Sequence, residues 1–487
     1  MERKEIDELV NGIVDMYIDS DNKFTYLNGL SYLNKDFQRP RIYNREQVRK
    51  ALSDPYNNVS LLQQVSSVLK ANNGIYARIL NYNSTLLTNN HMITPTSIGK
   101  VISQDKMVDA YNGAATFVSR YNIKRNTCWI IDRVIEQGEL YTYTIAGNDM
   151  HIIQEIPSNL CIITGIENDV KRYAINLNGI NKEALEYMPR EIQDAYRLFK
   201  SNKLPATSLI NNTYYQVSDK GAAFSLEKQQ IKGIPFYSSL FDDLMELEDL
   251  KDLKSQLAAI ENTVLVHQKL PIDDETGKVL MDMKVAKVYH NSTKANLPTG
   301  ASVTTNPLEV KAVSLGGGSH KLDNEIYQNT ENAFDVAGIN SELFNGKKSS
   351  NTAITSGVVV DSLLPRRIQM MVEDWINYDL NKNYKKHGVK WKLRFIDSTY
   401  FDREAMSNKA RENMAYGGSR FEFLACQGYD PAEGINLLKA EQLMGLDNVM
   451  IPQATSHTMS KGDSSDSGRP EVEVDEKSGV SKEAEEE

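Results

Sequence analysis

Cysteine is scarce in this chain, and long apolar runs are missing. Its 487 residues include only Cys128, Cys161 and Cys426, which lie far apart and form no CxxC pair. We therefore expect no disulfide framework and assembly in a reducing cytoplasm. No apolar run reaches the roughly 18 residues of a membrane-spanning helix, and the first 17 residues lack the apolar region of a signal peptide. The sequence predicts neither a membrane span nor secretion.

Motifs of catalysis and of cofactor binding are also missing. The string closest to a phosphate-binding loop, NGKKS at 345–349, has Ser341 where glycine is needed and Lys348 where serine or threonine is needed. The seven histidines form neither HExxH nor a Cys/His spacing, and no GxSxG elbow occurs. The glycine run at 316–318 is typical of a hinge or linker. We expect no enzyme, no metal and no cofactor.

Strong positive charge is absent as well. The formal net charge is −10, from 55 basic and 65 acidic residues. Residues 461–487 hold ten acidic and four basic residues. Such a chain does not grip nucleic acid by bulk charge, because tight DNA binders have strongly basic domains. A protein that lets DNA slide past would avoid such a surface.

The periodicity of apolar residues predicts a mainly helical α+β protein. Helical spacing occurs at 60–71, 75–87, 105–121, 179–199, 323–337, 402–415 and 430–445. β-Branched and aromatic residues predict a β-rich block at 128–178, further strands at 213–217, 222–226 and 390–396, and a β-like stretch at 279–289. A long helix from 353 to 386 should bend at Pro365. Residues from about 453 onward have the composition of a disordered tail.

The clearest helix follows Gly233-Ile234-Pro235. Apolar residues recur every three or four positions from Leu240 to Val264, which predicts one continuous apolar stripe of about eight turns. The early polar face of this helix is acidic, and it extends further than the helix dipole explains. These acids either line a channel or form a face that contacts solvent or a neighbouring subunit.

The order of elements between about 60 and 450 resembles the portal proteins of tailed bacteriophages, most closely those of long-tailed phages of Gram-positive hosts. A Gly233-Ile234-Pro235-Phe236 entry leads into SLFDDLMELEDLKDLKSQLAAIENTVL (239–265), and a small insert and a helix at 323–337 follow. Next come the loop GINSELFNGKKSSNT (338–352), a long helix, and LACQGYDPAEGINLLKAEQLMG (424–445). YARILNYNSTLL (76–87) resembles an early wing helix.

This resemblance implies a portal-type fold with wing, stem, clip and crown that assembles as a ring. The implied parts are an N-terminal segment (1–60), a wing (61–235), a stem helix (236–269), a clip (270–320), a second stem helix (321–337), a tunnel loop (338–352), a long wing helix and strand (353–399), a crown (400–452) and a disordered acidic tail (453–487).

The resemblance also assigns three groups of candidate site residues. The DNA-facing tunnel loop comprises Asn345, Gly346, Lys347, Lys348, Ser349, Ser350 and Asn351. The acidic channel face of the stem comprises Asp242, Asp243, Glu246, Asp249 and Asp252. The partner-facing clip residues are Asp273, Asp274, Lys278, Lys284 and Lys287. Acidic stem faces would repel phosphates and keep DNA centred, whereas two loop lysines per subunit would form a weak basic belt, unless they are ordinary exposed lysines.

The implied function is a ring of twelve subunits at one capsid vertex of the virion, assembled in the host cytoplasm. The ring would dock the terminase large subunit for genome packaging and then the head-tail adaptor, and conduct double-stranded DNA in and out without sequence specificity. The major capsid protein and a scaffolding protein would be further partners, and no membrane is involved. The alternatives are another structural virion protein, such as a capsid or adaptor subunit, an enzyme that processes DNA, or a bacterial scaffold protein unrelated to phage.

Overall fold

A computed structural model describes residues 43–98, 102–147, 149–227, 232–261, 264–273, 279–296, 301–306, 318–340, 342–345 and 351–446. The chain divides into two compact units, residues 1–434 and 435–487. Of the second unit, the described part is 435–446, which contains the last turns of a helix. No helix in the described ranges is long and apolar enough to cross a membrane.

The architecture is mainly helical α+β. The helices are α1 Arg45–Ser53, α2 Val59–Asn72, α3 Gly74–Thr85, α4 Gln104–Ser119, α5 Ile123–Gln137, α6 Lys182–Leu185, α7 Arg190–Lys200, α8 Phe241–Glu261, α9 Met283–Asn296, α10 Gly318–Val336, α11 Glu342–Asn345, α12 Asn351–Asp361, α13 Leu363–Asn383, α14 Arg403–Ala415, α15 Arg420–Gln427 and α16 Pro431–Leu443.

The strands form three sheets. They are β1 His91–Ser97, β2 Glu139–Ile145, β3 Ile152–Ile156, β4 Cys161–Glu167, β5 Val170–Asn176, β6 Leu209–Ile210, β7 Tyr214–Gln216, β8 Gly221–Ser225, β9 Val264–Lys269, β10 Ala301–Asn306 and β11 Lys390–Phe395. Antiparallel pairs in the order β3-β2-β8-β5-β7-β6, with β4 also on β5, make a seven-stranded sheet. β1 and β11 form an antiparallel pair, and β9 and β10 a parallel pair.

The core of the large sheet lies under α7. Tyr141, Tyr173 and Ile175 are buried on the sheet, and Ile192 and Tyr196 of α7 pack against them. The rings of Tyr141 and Tyr173 meet edge to face, with centroids 5.2 Å apart. Aromatic pairs in this geometry stabilise a core beyond the area that they bury. The predicted strands at 152–156, 213–217 and 222–226 are confirmed to within one or two residues.

The β-rich block begins later than its composition predicts. Residues 128–137 belong to α5, although four of them are isoleucine or valine. Ile130, Ile131, Val134 and Ile135 recur at helical spacing and are all fully buried. Burial of this apolar face outweighs the modest helix penalty of β-branched side chains. The first strand of the block therefore starts at Glu139.

Gly138 ends α5 because no larger residue fits there. Its φ of +80° lies in the left-handed region, where glycine carries no steric penalty. A Cβ atom at this position would lie 2.2 Å from the carbonyl oxygen of Ile234. The close approach places the chain just before α8 directly against the end of α5. It fixes where α8 leaves the core.

The predicted β-like stretch at 279–289 is wrong. Residues from Met283 onward form α9, and the Asp282 side chain accepts a hydrogen bond from the Lys284 amide at 2.9 Å at the start of this helix. Ala286 is buried, while Val285 and Val288 are 45% and 66% exposed. β-Branched residues on an exposed helical surface imitate the composition of a strand. The local signal for a helix here is the capping contact of Asp282 and not the β-branched composition.

The long helix predicted from 353 to 386 is interrupted where proline requires it. α12 ends at Asp361 and α13 begins at Leu363, so that Pro365 lies in the first turn of the second helix. A proline there loses no hydrogen bond, because the first amides of a helix have no partner within it.

The helix that the apolar spacing predicts from Leu240 to Val264 is also shorter than predicted, since Val264 belongs to β9.

Candidate functional site

α8 is buried only in its first half. Leu240, Phe241, Leu244 and Leu247 are at most 1% exposed, and Phe241 meets the ring of Tyr76 edge to face at 5.7 Å. Six residues further along, Leu253 is 44% exposed. The apolar stripe therefore roots the start of the helix in the body, and the side chains from Lys251 to Ser255 are exposed or only partly buried.

Two of the predicted channel acids face α1 of the same chain. The Arg45 Nε atom donates to Asp242 Oδ1 at 2.6 Å, and Arg45 Nη2 donates to Glu246 Oε2 at 2.5 Å. Arg49 Nε also donates to Asp242 Oδ1, at 2.9 Å. The hydrogen bond from Arg45 lowers the pKa of Asp242. These contacts tie the root of α8 to α1.

The remaining predicted channel acids differ from each other in their surroundings. Partial burial raises the pKa of Asp243, and the neighbouring carboxylates of Asp242 and Glu246 raise it further. Asp249 and Asp252 are exposed, and neither makes an ion pair within the part of the chain that the structure describes. At the root of the helix, Asp242 and Glu246 are therefore paired and Asp243 is not, whereas Asp249 and Asp252 form an open half beyond them.

α8 and α10 form an antiparallel helix pair. Lys254 of α8 forms an ion pair with Asp323 near the start of α10. At the other end, Asp243 and Glu246 line an open cleft of about 490 Å³ with Asn332 and Asp335 of α10. Residues early in α8 thus lie near residues late in α10. At about 1.5 Å per residue, the 21 residues of α8 span roughly 30 Å.

The chain between the end of α8 and the start of α10 contains a small βαβ unit. β9 and β10 pair in parallel from Val264↔Ala301 to Lys269↔Asn306, and α9 connects them. Thr305 Oγ1 donates to Gln268 Oε1 at 2.9 Å and lies 3.0 Å from His290 Nδ1. These side-chain contacts hold α9 against both strands.

The predicted clip residues are divided between described and undescribed parts of the chain. Lys284 and Lys287 are exposed on α9, on a surface that also carries Val285 and Val288. Asp273 lies between β9 and α9 and has a partner. Asp274 and Lys278 lie outside the described residues. The exposed face of α9 thus combines positive charge with apolar area.

The predicted tunnel loop, 338–352, is partly helical, because α11 lies within it and α12 begins at Asn351. Side-chain contacts hold these two helices on either side of residues 346–350. The ring of Phe344 in α11 stacks on Phe334 at 4.9 Å, meets Tyr82 edge to face at 5.4 Å, and lies under the guanidinium of Arg78 at 4.5 Å. Asp361, at the end of α12, accepts a hydrogen bond from the Tyr82 hydroxyl at 2.8 Å. Tyr82 therefore contacts the elements on either side of the loop.

The loop residues themselves are not all described. Asn345 ends α11 and Asn351 begins α12, but their side chains are not described. Gly346, Lys347, Lys348, Ser349 and Ser350 lie outside the described residues. The prediction that they face DNA stays a prediction.

A basic surface escaped the sequence analysis. Residues 381–396 contain six lysines and arginines and no acid. Three of these bases, Lys390, Lys392 and Arg394, lie on the exposed face of β11. Counting charge by segment instead of over the whole chain would have found them.

The contact between α1 and α8 makes a first prediction. A double-mutant cycle with Arg45→Met and Asp242→Asn should give a coupling of about 1 kcal/mol, because both side chains are about three-quarters buried and meet in good geometry. Urea unfolding of the four proteins measures it. The matched pair Arg197→Met and Asp194→Asn, which is 70% and 66% exposed, should show almost none. Equal coupling in both pairs would contradict a structural role for Asp242.

Comparison with known proteins adds little beyond the fold. No family model and no curated protein matches the sequence. One solved structure, described as "Neck of empty GTA particle computed with C6 symmetry", superimposes with a TM-score of 0.38 and 10% identity, over 74% of this chain and 90% of that chain. A TM-score this low carries no argument about function.

Proposed function

We propose that this chain is a phage portal protein, one subunit of a ring that forms the DNA channel at a capsid vertex. The observation that carries the proposal is the antiparallel pair α8–α10. The pair is rooted in the α+β body at one end, and at the other end the chain continues into the βαβ unit. This is the arrangement that the wing, stem and clip assignment requires. The chain would act as a structural component, and packaging ATPase activity would belong to the terminase.

A wall of a DNA channel needs exposed side chains that do not bind phosphates, and the pair of α8 and α10 would provide them. Asp249 and Asp252 are exposed beyond the rooted half of α8. Repeated around a ring, such carboxylates would repel phosphates and let DNA pass without binding. Asp242 and Glu246, which pair with Arg45, would serve to hold the stem. The proposed channel face is thus narrowed to the open half of the helix.

The tunnel loop would project from a firm base. The Phe344 cluster and the hydrogen bond from Tyr82 to Asp361 hold its flanks. Lys347 and Lys348 of each subunit would form a belt that touches passing phosphates, and two lysines per subunit give a weak, salt-sensitive contact.

The βαβ unit would be the partner-facing clip. We propose that the exposed face of α9 with Lys284 and Lys287 meets first the terminase large subunit and later the head-tail adaptor. The major capsid protein and a scaffolding protein would contact other surfaces of the ring. A ring uses a heterologous interface, in which one face of each subunit meets a different face of the next.

The test is negative-stain electron microscopy of the purified, untagged protein, with mass photometry at several salt concentrations. We expect rings of about a dozen subunits with an axial hole. Charge reversal of the open channel face, Asp249→Lys with Asp252→Lys, should leave the rings intact and impair DNA packaging. The matched variant Glu404→Lys with Glu412→Lys, on exposed positions of α14, should leave packaging unchanged.

Other outcomes would overturn the proposal. A monomer or dimer at all salt and protein concentrations would contradict a ring. A closed shell or an open sheet would favour a capsid subunit instead. If the pair of changes in α14 impaired packaging as much as the pair in α8, the channel assignment would be wrong even where rings form.

A further inference from the structure

A short basic segment stands out in this acidic chain. Residues 381–396 carry Lys382, Lys385, Lys386, Lys390, Lys392 and Arg394 with no aspartate or glutamate, while the whole chain has a net charge of −10. Charge concentrated in this way is a local feature that the overall balance conceals. The segment runs from the last turn of α13 through β11.

The pairing of β11 with β1 aligns half of these bases on one face. Trp391, Leu393 and Phe395 point into the core, and the residues between them are exposed. Trp391 meets the ring of Tyr111 edge to face at 5.5 Å, which fixes this side of the strand. Because alternate residues of a strand share a face, the three outward bases repeat at intervals of about 7 Å.

The two-stranded ribbon of β1 and β11 carries no acidic residue on β1 opposite these three bases. The positions on β1 opposite Lys390, Lys392 and Arg394 are Ser97, Thr94 and Met92. Lys392 Nζ lies 3.1 Å from a carboxylate oxygen of Glu373. Lys390 and Arg394 make no ion pair with any residue that the structure describes. Lys390 and Arg394 therefore present uncompensated positive charge to solvent, while the charge of Lys392 is partly balanced by Glu373.

The neighbouring bases of the segment are more fully paired. Lys386 Nζ lies 2.7 Å from Asp109 Oδ1, and Lys382 Nζ lies 2.5 Å from Asp219 Oδ2. Their function is to hold α13 against α4 and the large sheet. The bases of the segment without an ion pair in the described part of the chain are therefore Lys385, which lies before β11, and Lys390 and Arg394 on β11.

We propose that the ribbon of Lys390, Lys392 and Arg394 is a binding site for the phosphate backbone of double-stranded DNA, without sequence specificity. It is separate from the tunnel loop, and the proposal does not depend on ring formation. The regular spacing of like charges on a rigid strand suits a polymer with regularly repeated phosphates. The β1 residues opposite these bases are Ser97, Thr94 and the buried Met92, so none of these three positions offers the exposed aromatic anchor on which protein interfaces depend, and this favours DNA over an acidic protein segment.

The test is fluorescence anisotropy of a labelled 40-base-pair duplex of mixed sequence, titrated with the full chain between 50 and 200 mM salt. The variant combines Lys390→Gln, Lys392→Gln and Arg394→Gln. We expect affinity at 50 mM salt to fall at least about 10-fold, and the slope of log K against log salt to fall by about 3, since each lost phosphate contact removes about one. Circular dichroism and thermal unfolding should stay unchanged, because all three side chains are exposed.

Two further variants serve as controls for the β11 variant. Lys182→Gln, Lys203→Gln and Lys409→Gln remove the same charge from other exposed positions, and DNA affinity should change less than about 2-fold. Lys347→Gln with Lys348→Gln should leave most of the binding outside a ring. Equal losses in the β11 variant and the charge-matched control would overturn the proposal, as would loss of all binding in the loop variant.

A labelled glutamate peptide tests the competing partner. The ribbon variant should bind it with unchanged, weak affinity. If the peptide bound the chain more tightly than DNA at equal salt, and the ribbon variant abolished that binding, the site would be one for an acidic protein and the proposal for DNA would be wrong.

Discussion

Replacing Phe241 with alanine is expected to lower the free energy of unfolding by about 3–5 kcal/mol, the usual cost of removing a buried phenylalanine ring. Phe241 is fully buried at the first residue of α8 and contacts Tyr76 edge to face. Its neighbours Leu240 and Leu244 are also fully buried, so the surrounding core cannot close the cavity without moving the helix.

The control is Phe236→Ala, which changes the same residue type five positions earlier. Phe236 is 44% exposed, and the cost there should be below about 1 kcal/mol, since exposed sites usually change stability little. Urea unfolding followed by tryptophan fluorescence measures both. A similar cost for the two variants would contradict the rooted position of α8.

The same substitution bears on the proposed ring. Because the first half of α8 attaches the stem to the body, loosening it should reduce the fraction of ring-shaped particles at temperatures where the body is still folded. Phe236→Ala should not change that fraction. The comparison separates a general loss of stability from a specific loss of stem anchorage.

The sequence predicted correctly those elements in which buried and exposed residues alternate with the regular period of a helix or of a strand. α8 shows a single apolar stripe over its buried half, and β11 shows strict alternation of exposed and buried residues. Both were identified to within a few residues. Local periodicity is enough wherever one face of an element packs and the other does not.

Elements with a mixed pattern were predicted less well. The β-branched residues of α5 lie on a completely buried face, and their tertiary burial, which a single sequence does not state, outweighs their preference for strands. The valines of α9 are exposed instead, so that packing does not explain why this segment is helical. The capping role of Asp282 was the local signal that would have corrected α9.

The candidate site was predictable only in part. The acids of α8 were found as a charge run, but Arg45, which pairs with two of them, lies about two hundred residues away in sequence. No spacing rule links positions so far apart. The aromatic cluster of Tyr82, Phe334 and Phe344 escaped for the same reason.

Glu136→Gln is expected to lower stability by about 3 kcal/mol at neutral pH and by much less in acid. The Glu136 carboxylate is 3% exposed and accepts hydrogen bonds from Lys70 Nζ at 2.8 Å and from Arg133 Nη1 at 2.9 Å. Burial alone would raise its pKa, but the charges of Arg133 and Lys70 lower the pKa of Glu136 to about 2. This carboxylate therefore stays ionised in the folded protein far into acid.

The direction of the pH dependence follows from that lowered pKa. An unfolded glutamate has a pKa of about 4.3, so folding favours the ionised form. The stabilisation is fully present above that value and is lost as the pH falls towards about 2. Glutamine cannot titrate, so the difference in unfolding free energy between Glu136→Gln and the unchanged protein should shrink steadily between pH 5 and pH 2, as estimated from the two pKa values.

Urea unfolding at pH 7, 5, 4 and 3 measures this dependence. The exposed Glu412→Gln removes the same charge, and its unfolding free energy should follow that of the unchanged protein at every pH. A constant difference between Glu136→Gln and the unchanged protein across the series would show that Glu136 is not held ionised by Arg133 and Lys70. Lys70 belongs to α2 and Arg133 to α5. Such a result would therefore also contradict an ionic contact between these two helices, next to the point where α8 leaves the core.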